Sequence, residues 1–329
     1  MKAIIVYFSQ TGNTEKVAMA IKKGVTKIAD KCDIVKIKEA NPRRLHEYDL
    51  IGLGTPVFGV EPPNVRIFIN NMRFVGGKHI FVFNTHGTLP ELFFPSIYPR
   101  LKEKGLVVIG MRDWYGNCYL SHCPKPYPTD GHPDKTDLKE AEDFGRKMAE
   151  TSKKIYTGEK KLIPALPEMP VVSFQVLDLL LRATQKVPGF NFHGIYTYDQ
   201  SKCNYPKCHI CVDNCPMNYI DFSTEPRKFG QEGNRCATLC WFCEMICPTG
   251  AIKKISDGMN SIYQTEAKRL EDIARVEGKN AFVAGIEEAE AQGKFRSLVD
   301  KSKLGSSMHT VRKPVKHPRF KIPSEEIDA

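Results

Sequence analysis

Two stretches, CNYPKCHICVDNCP and CATLCWFCEMICP, hold eight of the eleven cysteines of this 329-residue chain. They are Cys203, Cys208, Cys211 and Cys215, then Cys236, Cys240, Cys243 and Cys247. Thiols packed this closely either cross-link the chain or bind metal. The opening MKAIIVYF reads as a core strand and lacks the cleavage site of a secretory signal, so a reducing, cytoplasmic compartment is expected. In such a compartment clustered cysteines bind metal. Tetrathiolate zinc sites use C-x2-C pairs, and Cys208/Cys211 with Cys240/Cys243 would satisfy one. That choice leaves four thiols and both Cys-Pro dipeptides without a role. Cys32, Cys118 and Cys123 lie outside the runs and read as small packing residues.

A second chemistry-bearing stretch follows the apolar run AIIVYF: Ser9-Gln10-Thr11-Gly12-Asn13-Thr14. A polar turn between a strand and a helix exposes the unsatisfied N–H groups of the helix N-terminus, where the helix dipole favours an anion. The hydroxyls of Ser9, Thr11 and Thr14 add donors. Gly12 lets the backbone bend around the anion, and Asn13 tolerates a positive φ. The loop holds no Lys or Arg, so it is neither a Walker A loop nor the GxGxxG fingerprint. Neutral donors suit a phosphomonoester.

The elements that must hold these residues are legible as periodicities. Apolar runs at 3–8, 33–38, 49–54, 79–84 and 105–111 read as five strands. Amphipathic helical patterns fall at 14–29, 64–75, 90–104 (with Pro95 and Pro99) and 135–156. Alternating strands and helices imply a parallel sheet covered on both faces, with ligands bound beyond the strand C-termini. Three such ends carry candidate binding loops: Gly54-Thr55-Pro56-Val57-Phe58-Gly59, Asn84-Thr85-His86-Gly87-Thr88, and Arg112-Asp113-Trp114-Tyr115-Gly116-Asn117. After Tyr156 the pattern changes. Residues 157–198 read as a linker with an apolar helix at 171–187, 199–256 as the cysteine-rich domain, and 257–329 as a helical extension and basic tail.

Residues 1–156 resemble the flavodoxins, on the strength of the Ser-Gln-Thr-Gly-Asn-Thr loop after the first of five strands. The resemblance implies a flavodoxin-like, doubly wound α/β fold, a five-stranded parallel sheet in the order 2-1-3-4-5, holding FMN. Ser9 through Thr14 would bind its phosphate. Thr55, Pro56, Val57, Phe58, Gly59, Asn84, Thr85, His86 and Gly87 would line the ring, with Phe58 and Trp114 as stacking surfaces. His86 stands where flavodoxins usually carry a plainer aromatic.

The cysteine runs resemble the C-x2-C-x2-C-x3-C-P pattern of bacterial two-cluster ferredoxins. Position by position, the resemblance assigns Cys203, Cys208, Cys211 and Cys247 to one [4Fe–4S] cluster and Cys236, Cys240, Cys243 and Cys215 to a second. Both runs depart from the pattern between their first and second cysteines, with four and three intervening residues. Cys-Pro-Thr-Gly-Ala-Ile at 247–252 and Cys-Pro-Met-Asn-Tyr-Ile at 215–220 are twins of one another.

The combined chain resembles flavodoxin–ferredoxin fusion proteins of anaerobes, which implies relay of single electrons between clusters and FMN. The partner would be a ferredoxin-type donor or acceptor or a larger oxidoreductase. The alternative is a reductase acting on a small substrate over the flavin. Residues 111–135 form a long segment that could roof such a pocket, with His86, Tyr115 or His122 as proton donor. The formal charge of +10 invites a nucleic-acid reading, but the tail from Lys301 to Lys321 has seven Lys or Arg and one aromatic, Phe320. That composition argues against a base-stacking surface. The apolar stretch 171–187 contains Asp178 and Arg182 and is too short to span a bilayer. Helices 171–187 and 262–297 suit either a homodimer contact or a clamp between the two halves.

Overall fold

The computed structural model describes residues 1–57, 61–87, 93–118, 129, 131–164, 195–216, 218–223, 228–229, 240 and 242–255. They fall into two compact units, one built on the N-terminal sheet and one on the cysteine runs. In the first unit, β1 (Lys2–Tyr7), β2 (Lys31–Lys36), β3 (Leu50–Pro56), β4 (His79–His86) and β5 (Val107–Tyr115) form a parallel sheet ordered β2-β1-β3-β4-β5. Strand order reverses at β1, so the ends of β1 and β3 flank the crevice where this class of sheet binds ligands.

The helices α1 (Asn13–Val25), α2 (Pro63–Asn70), α3 (Phe93–Glu103) and α4 (Lys135–Tyr156) cover the faces. Alternation along β4 sends Phe81 and Phe83 into one core with Val17, Ile21 and Phe144, and Ile80 and Val82 into another with Val65, Ile69, Phe93 and Ile97. Burial on both faces explains the uninterrupted apolar runs of the strands. Asp134 caps α4 by accepting from the N–H groups of Thr136 and Asp137 at 2.8 and 2.9 Å, while Asp137 accepts from the Asp134 N–H at 2.7 Å. This reciprocal box fixes where α4 starts.

Several boundaries differ from the sequence expectation. The strand expected at 33–38 occupies Lys31–Lys36, because its register with β1 pairs Lys2 with Lys31 and Tyr7 with Lys36. The helix expected to end at Ala29 stops at Val25, and α2 stops at Asn70 rather than residue 75. The difference that matters most is at β5. The segment expected as a loop after residue 111 stays in the sheet to Tyr115, held by pairing of Asn84 with Asp113, Thr85 with Trp114 and His86 with Tyr115. A pleated strand sends alternate side chains to opposite faces. Trp114 is therefore turned into the core, 4% exposed and edge-on to Phe144 at 5.7 Å.

The second unit contains β6 (Ile195–Tyr198), α5 (Ile210–Asp213), β7 (Ile220–Asp221), β8 (Lys228–Phe229), α6 (Phe242–Ile246) and β9 (Ile252–Ile255). β6 pairs antiparallel with β9 and β7 with β8. Each half thus runs strand, short helix, strand, and the outer strands of the two halves close on each other. Among the described residues its buried core holds Cys211, Ile220, Phe222, Cys247, Ala251 and Ile252, with Tyr198 and Tyr205 packed on Phe222. Among the described residues no helix is long and apolar enough to cross a membrane.

Candidate functional site

Gly12 precedes α1 with φ 93°, the left-handed conformation in which a residue bearing a Cβ is strained. Its N–H donates to Ser9 Oγ at 3.2 Å, which folds the loop back on itself. Asn13, expected to share the strained backbone, is instead the first helical residue. The first intrahelical bond runs from Lys16 N–H to Gly12 C=O at 3.0 Å, and no side chain caps the helix. In a helix that starts this way the leading amides have no carbonyl one turn back, so they are available to an anion.

The ends of β4 and β5 are knitted to this loop. Thr14 Oγ1 lies 2.8 Å from Thr85 Oγ1, and Asn13 Nδ2 donates to the Asn117 carbonyl at 2.9 Å. Thr129 Oγ1 donates to the carbonyls of Gly87 and Gly116 at 3.1 and 2.9 Å. Gly131 N–H donates to Asn117 Oδ1 at 2.6 Å. Three loops that are remote in sequence are thereby set against the helix N-terminus. Thr129 did not stand out in the sequence, because its role is a pair of tertiary hydrogen bonds with no local signature. The same holds for Glu61, which is fully buried and ion-paired to Arg66 Nε at 3.0 Å and Arg100 Nε at 3.2 Å, with Ser96 Oγ also donating to it. It ties the chain just after the β3 loop to α2 and α3.

Thr55, Asn84 and Asp113 stand side by side across β3, β4 and β5 at their C-terminal ends. Thr55 and Asn84 are fully buried. Neither amide atom of Asn84 has a hydrogen-bond partner, nor does Asn13 Oδ1. Buried polar groups are normally paired, and an orphaned amide at a strand end marks a place where a polar ligand or ordered water belongs. His86 is 5% exposed, with Nε2 3.0 Å from Asp113 Oδ2 and its ring edge-on to Tyr115 at 5.3 Å. Burial, with lesser contributions from Asp113 and Asp137, pushes the Tyr115 hydroxyl well above the usual phenol range. Pro56 ends β3, and Val57 N–H donates to the Thr85 carbonyl at 3.1 Å, so the two neighbouring loops start in contact. Gln10 and Thr11 are half-buried. Trp114, expected as a stacking surface, serves the core instead. Phe58, Gly59, Thr88 and His122 lie outside the described residues, as do 119–128 and 130 of the segment expected to form a roof.

In the second unit Cys203, Cys208 and Cys247 all lie close enough to Cys211 to act on it. Burial first, then these three neighbours, push its thiol up to about 12. A thiol in that setting ionises readily only when a cationic metal group is present to compensate. Cys211 of the first run and Cys247 of the second share one buried core, with Cys203 packed against it. Cys215 and Cys243 pack against the same core, and Cys240 is buried. Cys236 lies outside the described residues. The twin Cys-Pro segments are also twins in backbone. Asn218 (φ 54°) and Gly250 (φ 64°) are both left-handed, and their N–H groups reach the carbonyls of Cys215 and Cys247 at 3.2 and 3.5 Å. Asn is among the few residues besides Gly that visit this region at modest cost. Among the described residues, a group of three ligand atoms within 4.8 Å of one another occurs at His132, Asp134 and Asp137. His132 Nδ1 is 2.5 Å from Asp137 Oδ2, and both carboxylates are engaged in the α4 cap.

The flavodoxin domain profile matches residues 4–103. The N-terminal half carries a flavodoxin domain. This flavodoxin domain aligns with an archaeal flavodoxin of known structure over 46% of this chain and 99% of that one, at 21% identity and a TM-score of 0.37. The chain is 29% identical over 163 residues to an uncharacterized protein of Methanocaldococcus jannaschii, covering 45% of this chain and 98% of that one. A second, shorter stretch is homologous to ferredoxins. It is 37% identical over 57 residues to an uncharacterized ferredoxin of the same organism, covering 17% of this chain and 89% of the relative.

Proposed function

We propose that the chain relays single electrons between two [4Fe–4S] clusters and an FMN held at the strand ends of the flavodoxin domain, to or from a partner oxidoreductase. The observation that carries this reading is the packing of Cys203 and Cys211 of the first run with Cys247 of the other run in one core. Exchange of the last cysteine between runs is what a pair of cubane clusters uses.

The residues of the first unit fit the phosphate and ring of FMN. The uncapped start of α1 with left-handed Gly12 suits a phosphomonoester, and the orphaned Asn84 amide suits the polar rim of a ring. FMN supplies exchange of one or two electrons, and each cluster supplies one-electron steps. The chain's own work is to position and tune: Ser9, Thr11 and Thr14 hold the phosphate, Thr129 and Asn117 brace the surrounding loops, and the Cys-Pro turns hold the cluster ligands. In this reading residues 1–156 form the flavin domain and 199–256 the cluster domain, both in the cytoplasm. An anaerobic absorption spectrum of the purified full chain, with iron, sulfide and flavin quantified, tests it. Brown protein with eight irons, eight sulfides and one FMN is expected from two cubanes and one flavin. Colourless protein containing zinc would refute the reading.

A further inference from the structure

In the second Cys-Pro turn one side chain faces a sulfur. Thr249 Oγ1 lies 3.6 Å from Cys247 Sγ, within reach of a hydrogen bond to sulfur. The corresponding position in the first turn is Met217, which has no hydroxyl. Between a free thiol and a hydroxyl either group can donate. Once Cys247 binds metal as a thiolate its sulfur can only accept, so the hydroxyl must be the donor. Cys247 is 8% exposed, so water competes weakly for that acceptor. The Cys215 sulfur has a different partner, the backbone N–H of Tyr219 at 3.3 Å.

We propose that the Thr249 hydroxyl is a positioning and tuning group that raises the reduction potential of the centre that uses Cys247. The inference rests on the cluster reading above. Each one-electron reduction adds negative charge that spreads onto the ligand sulfurs. A hydroxyl donating to one sulfur stabilises the reduced state more than the oxidised state.

The test is an anaerobic reductive titration with dithionite, followed by electron paramagnetic resonance, on the full chain and on Thr249→Val and Thr249→Ser. Valine keeps the branched shape and removes the donor; serine keeps the donor. In Thr249→Val one of the two one-electron couples is expected to fall by up to about tenfold in its reduction equilibrium, about 59 mV for a one-electron couple. The other couple stays where it was, and Thr249→Ser stays near the wild-type value. Two couples in the wild-type protein that Thr249→Val leaves unmoved, or moves equally, overturn this inference alone. Absence of two iron-based couples in the wild-type protein overturns the cluster reading and the inference with it.

Discussion

Asn84 offers a direct measure of whether the strand ends are built for a ligand. Its side chain is fully buried and both amide atoms lack partners. Leaving a buried donor or acceptor unpaired costs about 1–3 kcal/mol each. Asn84→Leu keeps the branching at Cγ and removes both polar atoms, while its extra bulk costs about 1–3 kcal/mol in a packed site. The flavin-free protein should therefore gain a net of about 1–3 kcal/mol. For a domain of this size that raises the unfolding midpoint by roughly 2–10 °C. The flavin-loaded protein should show the opposite trend. Losing the amide's bonds to the ring forfeits about 1–3 kcal/mol, a rise in Kd of about fivefold to 150-fold. Calorimetry on apo and loaded protein, with flavin fluorescence quenching for the Kd, reads both. A flavin-free Asn84→Leu protein that melts earlier than the wild type would show the amide to be satisfied in solution. That result would refute the reasoning from orphaned atoms.

The cluster assignment has a pairing test: Cys208→Ser and Cys247→Ser should remove the same paramagnetic centre, although they belong to different runs, while Cys240→Ser should remove the other. Iron analysis with electron paramagnetic resonance checks it, and loss of different centres from the first two variants would break the exchange between runs. The α1–α4 contact predicts an acid response. Glu142 accepts from Lys23 at 2.8 Å and Lys27 at 2.5 Å, and these two bonds hold its carboxyl down to about 2 from an ordinary 4.5. A depressed folded-state pKa adds stability above the unfolded value that is lost as pH falls from about 4.5 towards 2. Urea unfolding of Glu142→Gln across that window should show a flatter pH dependence than the wild type.

Much of this protein is legible in its sequence because local signals there agree with the tertiary outcome. Five apolar runs separated by amphipathic helices specify a parallel sheet, since strands buried on both faces must be apolar throughout. The loop from Ser9 to Thr14 is legible as a strand-to-helix turn because a glycine among hydroxyls at that junction is set by backbone geometry, and Gly12 there is left-handed. The pairing of the Cys-Pro segments is visible as a repeat, and Asn218 and Gly250 share the left-handed turn that the repeat implies. Other features depend on partners far away in the chain. Residues 112–115 look like a loop in isolation, and only pairing with β4 makes them strand and sends Trp114 inward. Thr129, Glu61 and the hydroxyl of Thr249 have roles defined by what lies within hydrogen-bond reach, and no neighbouring residue reports that. Sequence determined the sheet, the turn from β1 into α1 and the thiol repeat, because these follow from periodicity and backbone conformation. Tertiary structure alone decided which side chains face a core, a loop or a sulfur, because a contact is a distance between residues whose separation along the chain carries no information about it.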